Sequence, residues 1–183
     1  MKRIFLLQIV FWTVISCTSK SALINQQFQM QDFRIDGGIS NISVVDKREK
    51  TDNRDLDIPD IPSPGSEDEV NPVLSPAEID LIKSEIAGYF TGLSINYDIV
   101  VNIIQAKQRF YAEWTSENEQ VYVTLEIILS DGLNKITCSG ESFLFASSMD
   151  ASNEFINEIY IKAFKLSINK ALSYAKKYMA PAN

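Results

Sequence analysis

Three β-rich runs followed by one long amphipathic stretch fill the C-terminal half of this chain, and together they leave few folds open. Ile95, Ile99, Val100, Val101, Ile103 and Ile104 begin a segment dense in β-branched residues that continues through Phe110, Tyr111 and Trp114. It reads as one long strand or a bent pair. Val121, Val123, Leu125 and Ile127 then alternate with Tyr122, Thr124 and Glu126, which predicts a strand with one buried and one wet face. Asp131-Gly132 is the pair favoured in type I′ hairpins, so a return strand is expected from Leu133 to Phe145. Residues 151–178 place Phe155, Ile159, Ala163 and Leu166 on one side of a helix. Lys162, Lys165, Lys176 and Lys177 stay in solvent and weight its end with positive charge, as the helix dipole favours.

Upstream, Ser75-Pro76-Ala77-Glu78 has the features of a helix start: a capping serine, proline at the first helical position and a glutamate that closes a capping box. Ile79, Ile82, Ile86 and Phe90 follow at helical spacing, and Gly92 ends the run. Ile39–Val45 predicts a strand that stops at Asp46-Lys47-Arg48, and alternation over Phe28, Met30 and Asp32 suggests a weaker one. From Glu49 to Asn71 charges dominate, and Pro59, Pro62, Pro64 and Pro72 interrupt any helix or central strand, so a solvated loop is expected. The chain therefore divides into 1–16 as a signal segment, 17–26 as a tether, 27–48 as the first strands, 49–74 as an acidic Pro-rich loop, and 75–179 as helix, meander and closing helix of the same domain. The predicted class is α+β: a mixed or antiparallel sheet of four to five strands with two helices on one face.

The first residues fix an address. Met1-Lys2-Arg3 is a basic head, Ile4–Ile15 is apolar apart from Gln8 and Thr13, and Ser16-Cys17 follows. Basic head, short apolar core and small residue define a secretory signal. The run is too short for a membrane span, which needs about 20 residues. Val14-Ile15-Ser16-Cys17 resembles the bacterial lipobox, which implies that Cys17 is acylated after cleavage and that the protein meets a membrane through that lipid. More than one acyl chain makes such an anchor stable. Thr18 follows the cysteine, and its resemblance to enterobacterial sorting signals points to the outer membrane.

Composition narrows the chemistry. The formal charge is −7, and Lys2 and Arg3 belong to the signal segment, so nucleic acid is a poor match as a partner. The chain has no histidine, which removes the usual general base, the usual transition-metal ligand and every Ser-His or Cys-His nucleophile pair. With Cys17 lipidated, Cys138 is unpaired and reads as a small buried residue. Gly140-Glu141-Ser142 begins like a nucleophile elbow, but Leu144 stands where the last glycine is required. Asp46, Asp52, Asp55, Asp57 and Asp60 offer oxygen ligands without the calcium-loop glycine and distal glutamate. Glu113, Glu126 and Glu141 can place carboxylates on the sheet without evidence that two converge. Tyr160, Phe164, Tyr174 and Tyr178 suit core and rim packing, or the lining of a lipid or partner groove. No cofactor or metal site is expected, and no enzymatic activity.

Ile42-Ser43-Val44-Val45-Asp46-Lys47-Arg48 is similar to the opening "strand, Asp-x-Arg" segment of YajG-like bacterial outer-membrane lipoproteins, and Ser139-Gly140-Glu141 with the 151–178 helix resembles the end of that pattern. The long acidic insert after Arg48 departs from it. The resemblance implies a non-enzymatic envelope lipoprotein and supplies no catalytic residues. Asp46 and Arg48 are expected to form a structural ion pair at the strand end. The functional expectation is a lipid-anchored envelope protein with a binding or structural role and an envelope protein partner. The alternative is an accessory docking subunit of an envelope transport or wall-assembly complex.

Overall fold

The computed structural model describes residues 23–24, 30–148 and 151–179, with only the backbone at Leu23, Ile24, Leu93 and Ser94. The signal segment, Cys17 and Phe28 lie outside them. In chain order the elements are β1 (Leu23–Ile24), β2 (Ile35–Asp46), β3 (Glu67–Val70), α1 (Pro76–Ala87), β4 (Phe90–Ala112), β5 (Glu117–Ser130), β6 (Lys135–Ser148) and α2 (Asn153–Met179). The strands form one mixed sheet in the order β1-β6-β5-β4-β2, and β3 also pairs with β4. Only β2 lies parallel to its neighbour β4, with β3 and α1 making the connection. This is the expected α+β class, with the two short strands β1 and β3 added to the main four.

The alternation seen in the sequence continues across three strands. Val121, Val123, Leu125, Ile127 and Leu129 of β5 pair with inward residues of β4 and β6 and are buried under the helices. α2 lies across β5 and β6, while α1 packs against β2 and α2. Their apolar sides complete one core that includes Ile82, Ile86, Ile159, Phe164 and Leu172. In β4 the register shifts between Ile103 and Gln105, so the inward set changes from Ile99, Val101 and Ile103 to Ala106, Gln108 and Phe110.

Four local readings change. β4 is one unbroken strand of 23 residues, and Trp114 stands beyond it in the turn to β5. The apolar spacing carries the first helix through Phe90, but α1 ends at Ala87 because Gly88 caps it and the Tyr89 carbonyl accepts from Ile35 N–H. Phe90 instead opens β4 and its ring meets Tyr97. The β5–β6 connection is a four-residue loop: Asp131 Oδ1 accepts from Leu133 and Asn134 N–H, and of that loop only Gly132 has positive φ, whereas type I′ needs two such residues. Met30–Arg34 form no strand. Gln31 is instead held by Asn169, a buried residue midway along α2, whose Oδ1 accepts from Gln31 N–H and whose Nδ2 donates to Gln31 O and Tyr89 Oη.

The segment 49–74 is more than a solvated loop. Leu56, Val70 and Leu74 are buried in the core, and β3 pairs with the second half of β4. Three of its acidic residues, all on β3, are matched by cations: Arg54 grips both carboxylate oxygens of Asp68, Lys107 meets Glu69, and Arg109 meets Glu67. Asp52 Oδ2 accepts from Asn71 N–H, and the Asp52 and Asn71 backbones are joined, so the segment closes on itself. High charge predicts solvation. Three apolar residues spaced through the segment suffice to seat it on the sheet.

Candidate contact surface

Both helices cover one side of the sheet, and the residues of alternate parity form the other. Tyr122 of β5 and Phe143 of β6 face each other there as a stacked pair, centroids 4.6 Å apart. With Gln105, Thr124 and Glu141 they line a depression of about 620 Å³ that reaches Leu166 and Lys170 at the β6 edge. Its chemistry is aromatic faces, an amide, hydroxyls, one ammonium and one carboxylate. Such a surface can stack on and hydrogen-bond to a partner.

The three candidate carboxylates do not converge. Glu113 lies in the β4–β5 turn, where its N–H donates to Ser116 O. Glu126 and Glu141 share the helix-free face at diagonal positions of β5 and β6, but Glu126 accepts from Asn102 Nδ2 at 2.7 Å on the β4 side, away from Glu141. The acidic run does not gather either. Asp46 serves Arg48, Asp52 serves Asn71, and among the described residues no group of three or more His, Cys, Asp or Glu side chains is placed to hold a metal ion. Gly140-Glu141-Ser142 is ordinary strand: Glu141 faces outward, Gly140 lies under α2, and Ser142 Oγ donates to Ala163 O at 2.8 Å. Cys138 is buried and unpaired, and burial pushes its thiol pKa up. The aromatic set on α2 divides, with Tyr160 and Phe164 in the core and Tyr174 and Tyr178 exposed.

Asp46 and Arg48 meet at the end of β2. The Arg48 side chain is only 3% exposed; Nε and Nη2 donate to Asp46 at 2.9 and 2.6 Å, and Nη1 donates to Ala106 O at 3.0 Å. The hydrogen bond from Arg48 holds the Asp46 carboxyl below its usual pKa. Burial is the largest effect and works against the Arg48 charge, but the bonds to Asp46 and the neighbouring Tyr160 hydroxyl together outweigh it, and its pKa is raised. The Tyr160 hydroxyl, buried and without a hydrogen-bond partner among the described residues, feels the same guanidinium, and burial drives its pKa upward. The pair thus ties β2 to β4 beside α2. Arg48→Met should destabilise the fold by about 2 kcal/mol, since it strips the Ala106 carbonyl of its donor while Asp46 remains partly wet. Arg48→Lys should recover less than half of that, because one ammonium cannot match a three-point fork. Urea unfolding of the two variants beside the wild type checks both values.

Two residues that matter to these surfaces escape the motif reading. Glu119 has the parity of Val121 and Val123, so extending the alternation backward by one step places a carboxyl in the core. Trp114 is followed by Thr-Ser-Glu-Asn, a polar cluster that marks a turn. No family model matches the chain, and no curated protein matches it by sequence. The resemblance to YajG-like lipoproteins accordingly rests on the short segments quoted above.

Proposed function

We propose that this chain is a lipid-anchored protein of the bacterial cell envelope, held through acylated Cys17, with a non-enzymatic domain that offers its helix-free sheet face to an envelope protein. The observation that carries the reading is the order of the first residues: basic head, short apolar run, and cysteine directly after a small residue. The domain supports it, since β1 begins at Leu23, six residues past Cys17, and a stable contact surface would stay close to the bilayer. Thr18 after the cysteine favours the outer membrane. Cys17→Ser should convert a membrane-bound protein into a released or uncleaved one, read by fractionation and intact mass. Normal maturation with undiminished membrane attachment in that variant would falsify the proposal.

The second reading, an accessory docking subunit of an envelope assembly, is favoured by the Tyr122–Phe143 stack on a face that no described element covers. Recovery of the wild type from membranes separates the two. A stoichiometric complex held by the wild type and lost in Phe143→Ala, which leaves the core untouched, supports the subunit. A wild type that sediments without a partner, as the variant does, sinks the subunit reading.

A further inference from the structure

β1 has a defined direction on the sheet. It is antiparallel to β6, with Leu23 opposite Ser147 and Ile24 opposite Ala146, so its first residue lies toward the Ser148 end of β6. Ser147 and Ser148 are opposite Asn118 and Glu117, the first residues after the β4–β5 turn. At this same end the Pro-rich part of segment 49–74 is fastened to β4: Gly65 N–H donates to Ala112 O, and Ala112 N–H to Ser66 O. Pro62 and Pro64 lie beside Trp114, lining shallow hollows with it. Two large apolar side chains stand out from this tip, Trp114 at 89% and Ile61 at 91% exposure.

We infer that the Ile61–Trp114 tip seats in the headgroup region of the bilayer that holds the acyl anchor. The inference rests on the lipoprotein reading and gives the tethered domain an orientation. Six residues extend to about 20 Å at most, so Leu23, which lies at the tip's end of the sheet, is kept within that distance of the lipid surface. Tryptophan favours this zone, where its ring is partly desolvated and its N–H still meets water or phosphate. The carboxylates around the tip, Glu113 and Glu117, argue against attraction to an anionic lipid surface, which leaves apolar insertion as the driving term. With the tip down, the Tyr122–Phe143 face stands at the side of the domain, open to a partner.

Trp114 reports on this directly. The chain has two tryptophans, and the other, Trp12, falls in the segment removed with the signal. Acylated protein purified from membranes is reconstituted in phosphatidylcholine vesicles carrying bromine on the acyl chains, and intact mass establishes the lipid on Cys17. The expected result is a blue-shifted emission with most of its intensity quenched, more strongly by bromines near the headgroup than by deep ones. Ile61→Asp, at an exposed position, should reverse much of the shift and quenching while the protein still floats with the vesicles. Acylated, vesicle-bound protein whose emission stays unshifted and unquenched overturns the inference and leaves the lipoprotein reading standing. Shielding in native membranes but not in vesicles also overturns it, in favour of a protein contact. A mature protein without acyl mass overturns both readings.

Discussion

Gly140→Ala is expected to destabilise the fold by about 3 kcal/mol, and Gly140→Val to prevent folding. A Cβ on Gly140 would overlap the carbonyl oxygen of Ser167 and stand 2.8 Å from its carbonyl carbon, with the Ala171 Cβ at 3.1 Å. The obstacle is helix backbone, so no rotamer change relieves it. α2 would have to rise from β6, and that movement breaks the bonds that hold it there. Ser142 Oγ donates to Ala163 O, and the Ser167 hydroxyl lies 2.9 Å from Ser142 Oγ and 3.1 Å from Val123 O. The sign is diagnostic, because alanine in place of glycine within an ordinary strand is favourable. In a chain of this size the loss corresponds to a fall of roughly 6–12 °C in melting temperature. Ser139→Ala, next door on the exposed face, should stay within about 0.5 kcal/mol of wild type. A Gly140→Ala protein that melts with the Ser139→Ala control would mean that α2 does not lie this close to β6.

Gly140 also shows what the sequence conveys and what it withholds. Its parity with Cys138 and Leu144 puts it on the inner face, so its burial was readable. That a helix backbone crosses directly above it was not, because periodicity describes one element at a time and says nothing of what lies opposite. The same division runs through the chain. The β5 alternation and the Ser75–Glu78 capping box depend on neighbours within a few residues, and both appear in the structure, the box with Ser75 N–H donating to Glu78 and Glu78 N–H donating to Ser75 Oγ. The Asp131-Gly132 turn misled because the Asp131 side chain, accepting from two backbone amides, stabilises a longer loop than the dipeptide suggests. Segment 49–74 misled through composition. The carboxylates of β3 are met by Arg54, Lys107 and Arg109, two of them on a strand that lies far away in sequence. On the contact surface, Tyr122 and Glu141 were visible as outward residues of their strands. The pairing of Tyr122 with Phe143 required the register between β5 and β6, which a four-residue loop sets and a two-residue loop would have shifted.

Raising the pH from 5 to 8 should cost the folded protein roughly 2–3 kcal/mol, and Glu119→Gln should remove most of that dependence. Glu119 is 1% exposed and faces the helices near the N-terminal end of α2. Its Oε1 accepts from Ser152 N–H at 3.0 Å, while Oε2 has no hydrogen-bond partner among the described residues. Burial pushes its pKa from 4.5 up to about 7, against the bond from Ser152, and the nearby Glu117 carboxylate adds to the rise. Below pH 4.5 both folded and unfolded chains hold the proton. Between 4.5 and 7 the unfolded chain releases it first, so stability falls as pH rises through that window and levels off above it. The other shifted carboxyls act elsewhere. Asp46, Asp68 and Asp131 have lowered pKa values, Asp68 near 2, so their contributions are present above 3.8 and lost only in stronger acid. The amide of Glu119→Gln imitates the protonated carboxyl and still accepts from Ser152. Unfolding free energies from urea titrations at pH 5 and pH 8 should therefore differ by no more than about 1 kcal/mol in this variant, and it should be the more stable protein at pH 8. An undiminished slope in Glu119→Gln would assign the dependence to another group and leave the Glu119 carboxylate charged and tolerated at the start of α2, where the helix dipole favours a negative charge.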